Sequence, residues 1–147
     1  MRRKHCFFLQ NFTDTSRTVR QQYELSQAAY ARRAEAVAKI PTFWPLVLEQ
    51  APPEIDSLIT PEDSRILAEL SNITVTRPEI EGGKKGHPRS VSIRFEFNPN
   101  DAFEDKVLEK HFHYRRANDG WVGLVSEPVK INWKKGQDLT EIGRAHV

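Results

Sequence analysis

Cysteine is nearly missing from this chain: Cys6 stands alone among 147 residues, which excludes an internal disulfide framework. No apolar run approaches the length of a bilayer span, so no membrane partner is expected. The opening Met1-Arg2-Arg3-Lys4 is basic, but only Phe7-Phe8-Leu9 follow before Gln10-Asn11, too few for the apolar core of a secretion signal. Also missing are a Gly-rich phosphate loop, a Gly-x-Ser-x-Gly elbow and a Cys/His/Asn arrangement, so no catalytic residues, cofactor or small-molecule ligand are expected. His111 and His113 lie two apart in a strand-like run and point to one face, the geometry a zinc site uses, but a third ligand is lacking and no metal is expected.

Charge of one sign is scarce only in net: 22 Lys and Arg oppose 20 Asp and Glu, for +2. The distribution is uneven. Residues 1–40 hold eight basic residues against Asp14, Glu24 and Glu35, whereas 41–140 hold thirteen basic against sixteen acidic. The Lys and Arg are scattered, without a recognition-helix, RNP or zinc-knuckle pattern, which argues against nucleic-acid binding as the main role.

From Ser16 to Ile40 there is no Gly or Pro, and Ala, Arg, Gln and Glu dominate, which predicts a helix with Val19, Tyr23, Tyr30, Ala34 and Val37 along one side. Pro41 ends it, and Thr42 is placed to cap a second helix, Phe43 to Gln50. Ile55, Leu58 and Ile59 suggest a short helical turn. Thr60-Pro61-Glu62-Asp63 then reads as an N-cap, a first-position Pro and first-turn acids. Strand-like runs follow at Ile73 to Ile80, Ser90 to Phe97, Lys106 to Arg115 and Pro128 to Trp133, with turns at 82–86 and 118–120. Helices followed by antiparallel strands make an α+β domain. Phe43, Trp44, Phe95, Phe97, Phe103, Phe112 and Trp133 are expected in its core, with Trp44 and Phe112 buried.

Five segments in order, Lys39-Ile40-Pro41-Thr42-Phe43-Trp44, Leu70-Ser71-Asn72-Ile73-Thr74-Val75, Ser92 to Glu104, Val107 to Phe112 and Ile131 to Thr140, resemble the nucleosome assembly protein family of histone chaperones, its SET branch above all. The resemblance runs from about Val19 to Thr140. It implies an N-terminal dimerisation helix, here truncated to 16–40, then short helices and a four-stranded antiparallel sheet (41–140, the earmuff domain), with the C-terminal helices missing. Residues 1–15 match nothing in the family and are expected to be a disordered or misassigned head. Glu141 to Val147 is the heptapeptide that a common sequencing adapter encodes, and is expected to be an artefact.

The resemblance further implies ATP-independent binding of core histones, nucleosome assembly, a homodimer in the full-length protein and a nuclear location with shuttling to the cytoplasm. Histone-modifying enzymes are further partners in the family, some of whose members act as cofactors or inhibitors of a chromatin enzyme or phosphatase. Holding lysine- and arginine-rich partners needs a broad negative field rather than one indispensable bond. Its candidates are Glu54, Asp56, Glu62 and Asp63 on the helical side and Glu96, Asp101, Glu104, Asp105 and Glu109 around the second and third strands. Val19, Tyr23, Tyr30 and Val37 are the dimerisation candidates. Asp101-Ala102 replaces the family's Pro-aromatic pair, which predicts a looser loop there. The alternative is an unrelated small α+β enzyme or nucleic-acid-binding domain.

Overall fold

The computed structural model describes residues 2–81, 87–116 and 120–142, with side chains from Ser16 to Thr140 apart from residue 116. The expected turn at 82–86, most of that at 118–120 and the end of the suspect heptapeptide, 143–147, lie outside the described residues.

Helix α1 spans Arg2–Val37. It begins inside the segment expected as an unmatched head, where no Gly or Pro interrupts it, and stops before Ile40 because the residue ahead of a proline is forced out of the α region. Ala38 N–H to Ala34 O (2.9 Å) and Lys39 N–H to Ala36 O (3.2 Å) close the last turn. Helix α2 is Phe43–Glu49. Thr42 precedes it as expected but does not cap it. Its φ is 52°, in the left-handed region, and its hydroxyl donates to Pro41 O at 2.7 Å. A threonine cap accepts from the second or third helical N–H, and here the third residue is Pro45, which has none.

Helix α3 is Pro53–Asp56 and α4 is Pro61–Leu67. The second begins as its sequence says. Thr60 Oγ1 accepts from Asp63 N–H (3.2 Å), and Asp63 Oδ2 accepts from Thr60 N–H (3.0 Å), a reciprocal capping box with Pro61 in the first turn.

Strands β1 (Leu70–Thr76), β2 (Val91–Phe97), β3 (Val107–Arg116) and β4 (Val122–Ser126) form one antiparallel sheet in that order. The first ends earlier than expected because Pro78 opens a short helix, α5 (Pro78–Glu81). The fourth is displaced altogether. Val122 to Ser126 pairs antiparallel with Phe112 to Arg116 of β3 across a short connection, whereas Pro128 to Trp133 contributes only an isolated bridge, Trp133 to Phe103. Helix α6 (Leu139–Ile142) follows, with Asp138 Oδ1 accepting from Thr140 N–H at 2.8 Å.

The chain divides into two compact units. The first is 1–39, 75–92 and 111–127; the second is 40–74, 93–110 and 128–147. The buried Ile66, Leu70, Ala102 and Phe103 all belong to the second, where Phe97, Leu108, Ile131, Trp133 and Leu139 pack around Ile66, Ala102 and Phe103. The Phe103 ring meets Phe97 edge-on at 5.1 Å and Trp133 at 5.8 Å. Trp44, expected to be buried, is only half-buried. It rests on Phe43 at 5.3 Å, its neighbours Leu46 and Val47 face solvent, and its indole N–H has no partner among the described residues. Phe112, in the first unit, is half-buried too, because its partner across the strand pair is the small, exposed Ser126 of an edge strand.

Polar clasps organise the first unit. The Tyr23 hydroxyl of α1 donates to the Glu81 carboxylate and accepts from Arg77 N–H at 3.3 Å. Burial, and then the Glu81 hydrogen bond, push the Tyr23 phenol above its usual range. His87 stacks on Tyr114 at 4.1 Å, and Arg89 Nη1 donates to the Tyr114 hydroxyl at 3.2 Å.

Candidate functional site

All nine acids singled out from the sequence fall in the second unit, and all four dimerisation candidates in the first. By sequence the second unit holds thirteen Asp and Glu against eight Lys and Arg, and the first holds fourteen Lys and Arg against seven Asp and Glu. The modest net charge therefore hides a negative unit and a positive one.

Within the negative unit the acids differ in occupation. Glu54 and Asp56 lie in the first turn of α3 and Glu62 in that of α4, each exposed, where the helix dipole favours them. Asp101 and Glu104 are exposed on the loop between β2 and β3. Glu49, at the end of α2, is a further exposed acid that the sequence reading passed over. Others already have work. Asp63 closes the capping box, and Glu96 pairs with Arg94 at 3.2 Å. Asp105 grips Asn132 through both carboxylate oxygens, accepting from its backbone N–H (2.7 Å) and its side-chain amide (2.8 Å). Glu109 is exposed on β3.

The loop carrying Asp101 and Glu104 is not loose. Asn100 Oδ1 accepts from the N–H groups of Ala102 (2.9 Å) and Phe103 (3.0 Å), and Lys134 N–H donates to Ala102 O (2.9 Å). Lys134 Nζ reaches Asn100 O at 2.6 Å, and Glu104 N–H donates to Asn132 O at 3.0 Å. Ala102 is 3% exposed, so the smaller residue is packed where a larger one was expected. The exposed acids of this loop thus stand on a fixed backbone, and a shallow groove lined by Asn98, Asn100, Phe103, Glu104 and Lys106 runs beside them.

Of the dimerisation candidates, Val19 and Val37 are half-buried and Tyr30 is 51% exposed beneath the Arg33 guanidinium at 4.9 Å. Tyr23 is engaged within its own unit by Glu81 and Arg77, a use its heptad spacing could not reveal. His111 and His113 do share a face, their rings 6.2 Å apart and 25° from parallel, and His111 Nδ1 lies 2.7 Å from Ser92 Oγ. Among the described residues no group of three or more His, Cys, Asp or Glu could hold a metal ion, and no helix is long and apolar enough to cross a membrane.

The family model for nucleosome assembly proteins matches residues 8–144, a match that starts well ahead of Val19. A nucleosome assembly protein of Schizosaccharomyces pombe is 36% identical over 132 residues, 82% of this chain and 52% of its own length. Human Protein SETSIP is 36% identical over 124 residues (84% and 39%), and Drosophila melanogaster Protein SET 33% over 129 (84% and 45%). The chain spans about half the length of these relatives or less. Among solved structures, Ccp1 superposes with a TM-score of 0.70 at 33% identity, covering 92% of this chain and 69% of that one. The Vps75 histone chaperone superposes with a TM-score of 0.71 over 90% and 62%, and at 24% identity shares the fold.

Proposed function

The chain belongs to the nucleosome assembly protein family, and from that premise we propose that it is an ATP-independent, nuclear histone chaperone whose negative unit screens the charge of core histones. One observation carries the reading: every acid picked from the sequence falls in the unit where acids outnumber bases, and Glu54, Asp56, Glu62, Asp101 and Glu104 are exposed there. A field shared among exposed carboxylates attracts basic partners without a fixed contact, and salt screens it over roughly 8 Å at physiological ionic strength. The same premise supports a homodimer through α1 in the full-length protein, with Tyr30 and Val37 as its seam and Tyr23 kept for its own unit.

The test is capture of purified core histones across a salt series by this chain and by a variant with Glu54, Glu62, Asp101 and Glu104 changed to Lys. Binding should fall steeply with salt and be largely lost in the variant. Binding that is indifferent to both would overturn the proposal. Asp63 and Asp105 are left out of the set because their carboxylates hold backbone in place.

A further inference from the structure

Residues 40–64 contain no Lys, Arg or His, against five Asp and Glu. The same stretch, all of it in the negative unit, leaves four large aliphatic side chains in water: Leu46 is 52% exposed, Val47 42%, Ile55 47% and Leu58 76%. Isolated apolar side chains on a surface are ordinary, but these four crowd between positions 46 and 58. Leu46 and Val47 stand on α2. Ile55 and Leu58 are one turn apart, since Ser57 continues the helical backbone after α3 (φ −63°, ψ −15°) and Leu58 N–H donates to Ile55 O at 3.0 Å.

Carboxylates edge the same apolar positions. Glu54 and Asp56 stand about 100° to either side of Ile55 around α3, Glu49 ends α2 and Glu62 lies in the first turn of α4, all four exposed. The cations that bound the stretch lie outside this set: Lys39 belongs to the other unit, and Arg65 donates through Nη2 to Gln137 Oε1 at 2.9 Å. Helix α2 ends at Glu49 and α3 begins at Pro53. Four residues of chain reach no more than about 14 Å, so one partner element can touch both helices.

We infer that α2, α3 and the start of α4 form a docking surface for an amphipathic helix whose apolar stripe is flanked by Lys and Arg. This rests on the histone reading above, whose acids Glu54, Asp56 and Glu62 it shares, and adds to it a contact that salt does not screen. The exposed aliphatics give the stripe a surface to cover, and the carboxylates beside them meet cations carried past the stripe on long apolar stems. A helix fits better than an extended segment on two counts. Extended backbone sends neighbouring side chains to opposite faces, so a strand laying apolar residues here would turn the intervening cations away, whereas a helix keeps cations beside its stripe. No strand lies between α2 and α4, so an extended peptide also finds no sheet edge to pair with. A second copy of the chain would set these carboxylates against their like.

The experiment is fluorescence anisotropy with two labelled Leu–Lys peptides of one composition and about 18 residues, roughly 27 Å when helical, one with Leu at helical spacing and the other permuted to break it. Their charges are equal, so the field of the negative unit alone treats them alike. The 147-residue chain should bind the periodic peptide about tenfold tighter, the effect of drawing a leucine side chain largely out of water. Leu58→Asn, and Leu46→Asn on α2, should each remove most of that preference while keeping the wild-type thermal midpoint, because both side chains are already exposed. Leu58→Met should retain it. In capture of purified core histones, Leu58→Asn should weaken binding by the same factor at low and high salt, whereas the charge-reversed variant loses most at low salt. Equal affinity of the wild type for the two peptides, a preference unaltered in both Asn variants, or sedimentation of the free chain shifted by Leu58→Asn would overturn the docking surface and leave the charge reading standing. Histone capture indifferent to salt and to charge reversal would overturn that reading, and the peptide preference would still decide this one.

Discussion

Glu104 and Asp105 are neighbours in sequence with opposite duties, and separating them is the sharpest test of how this molecule uses its acids. The Asp105 carboxylate takes two hydrogen bonds from Asn132, at 2.7 and 2.8 Å, and so ties the loop after β2 to the segment before α6. Glu104 holds the same segment through its backbone alone, leaving its side chain exposed. Removing the Asp105 side chain leaves the Asn132 N–H and amide without their acceptor. Hydrogen bonds to a charged group contribute about 1.5–3 kcal/mol each, and the half-exposed site lets water recover part, so Asp105→Ala should cost about 2–3 kcal/mol. At roughly 1–3 kcal/mol per molar urea, this lowers the midpoint of unfolding by about 1–2 M. Asp105→Asn, which keeps one acceptor oxygen, should cost about half as much. Glu104→Ala should stay within about 0.5 kcal/mol, as exposed substitutions do, yet weaken histone capture at low salt. Urea melts followed by tryptophan fluorescence, with histone capture in parallel, give both readings. An Asp105→Ala midpoint equal to wild type, or a Glu104→Ala midpoint lowered as far as that of Asp105→Ala, would refute the division of labour.

Two further outcomes are expected. Phe103→Ala removes a ring that is 3% exposed and two edge-on aromatic contacts, so it should cost about 4–5 kcal/mol, whereas Phe112→Ala, half-buried, should cost about 1–2 kcal/mol; equal thermal shifts would contradict the placement of the core. Burial, with the Arg89 charge beside it, holds the His87 imidazole below its usual 6.5, so the unfolded chain takes up the proton first. The stability this neutral His87 gives is complete above about pH 6.5 and is lost as pH falls from there toward the folded value. Urea midpoints should accordingly decline from pH 7.5 to 5.5, and less so in His87→Phe, which keeps a ring against Tyr114; identical pH profiles would speak against it.

Local rules carried the reading where one short segment holds all the information. Thr60 to Asp63 spells its own cap, and Phe95 and Phe97 alternate with Arg94 and Glu96 as a strand with one wetter face should. Reading failed where a distant partner decides. Trp133 lies in an apolar run that looks like a strand but, among the described residues, forms only an isolated bridge to Phe103, while Val122 to Ser126, with Gly123 in it, pairs because β3 is beside it. Thr42 has a capping side chain, yet Pro45 removes one of the two donors it could serve, and its left-handed backbone goes with a hydroxyl that donates to Pro41 O instead. For the acids, sequence supplied the inventory but not the occupation: nothing in the order Glu104-Asp105 says that one carboxylate is free to face solvent and the other is spoken for by Asn132.

The opposed charges of the two units also change what an isoelectric point means here. At the sequence value of about 8.8 the charges cancel in sum, but not place by place. A molecule of this kind does not become electrically silent when its net charge vanishes. It should be retained in turn by both cation- and anion-exchange resins at one neutral pH, and added salt should keep it in solution near its isoelectric point, since mobile ions of both signs have somewhere to gather. Its behaviour among polyelectrolytes, some strongly acidic and others strongly basic, is then set by which surface each one reaches first.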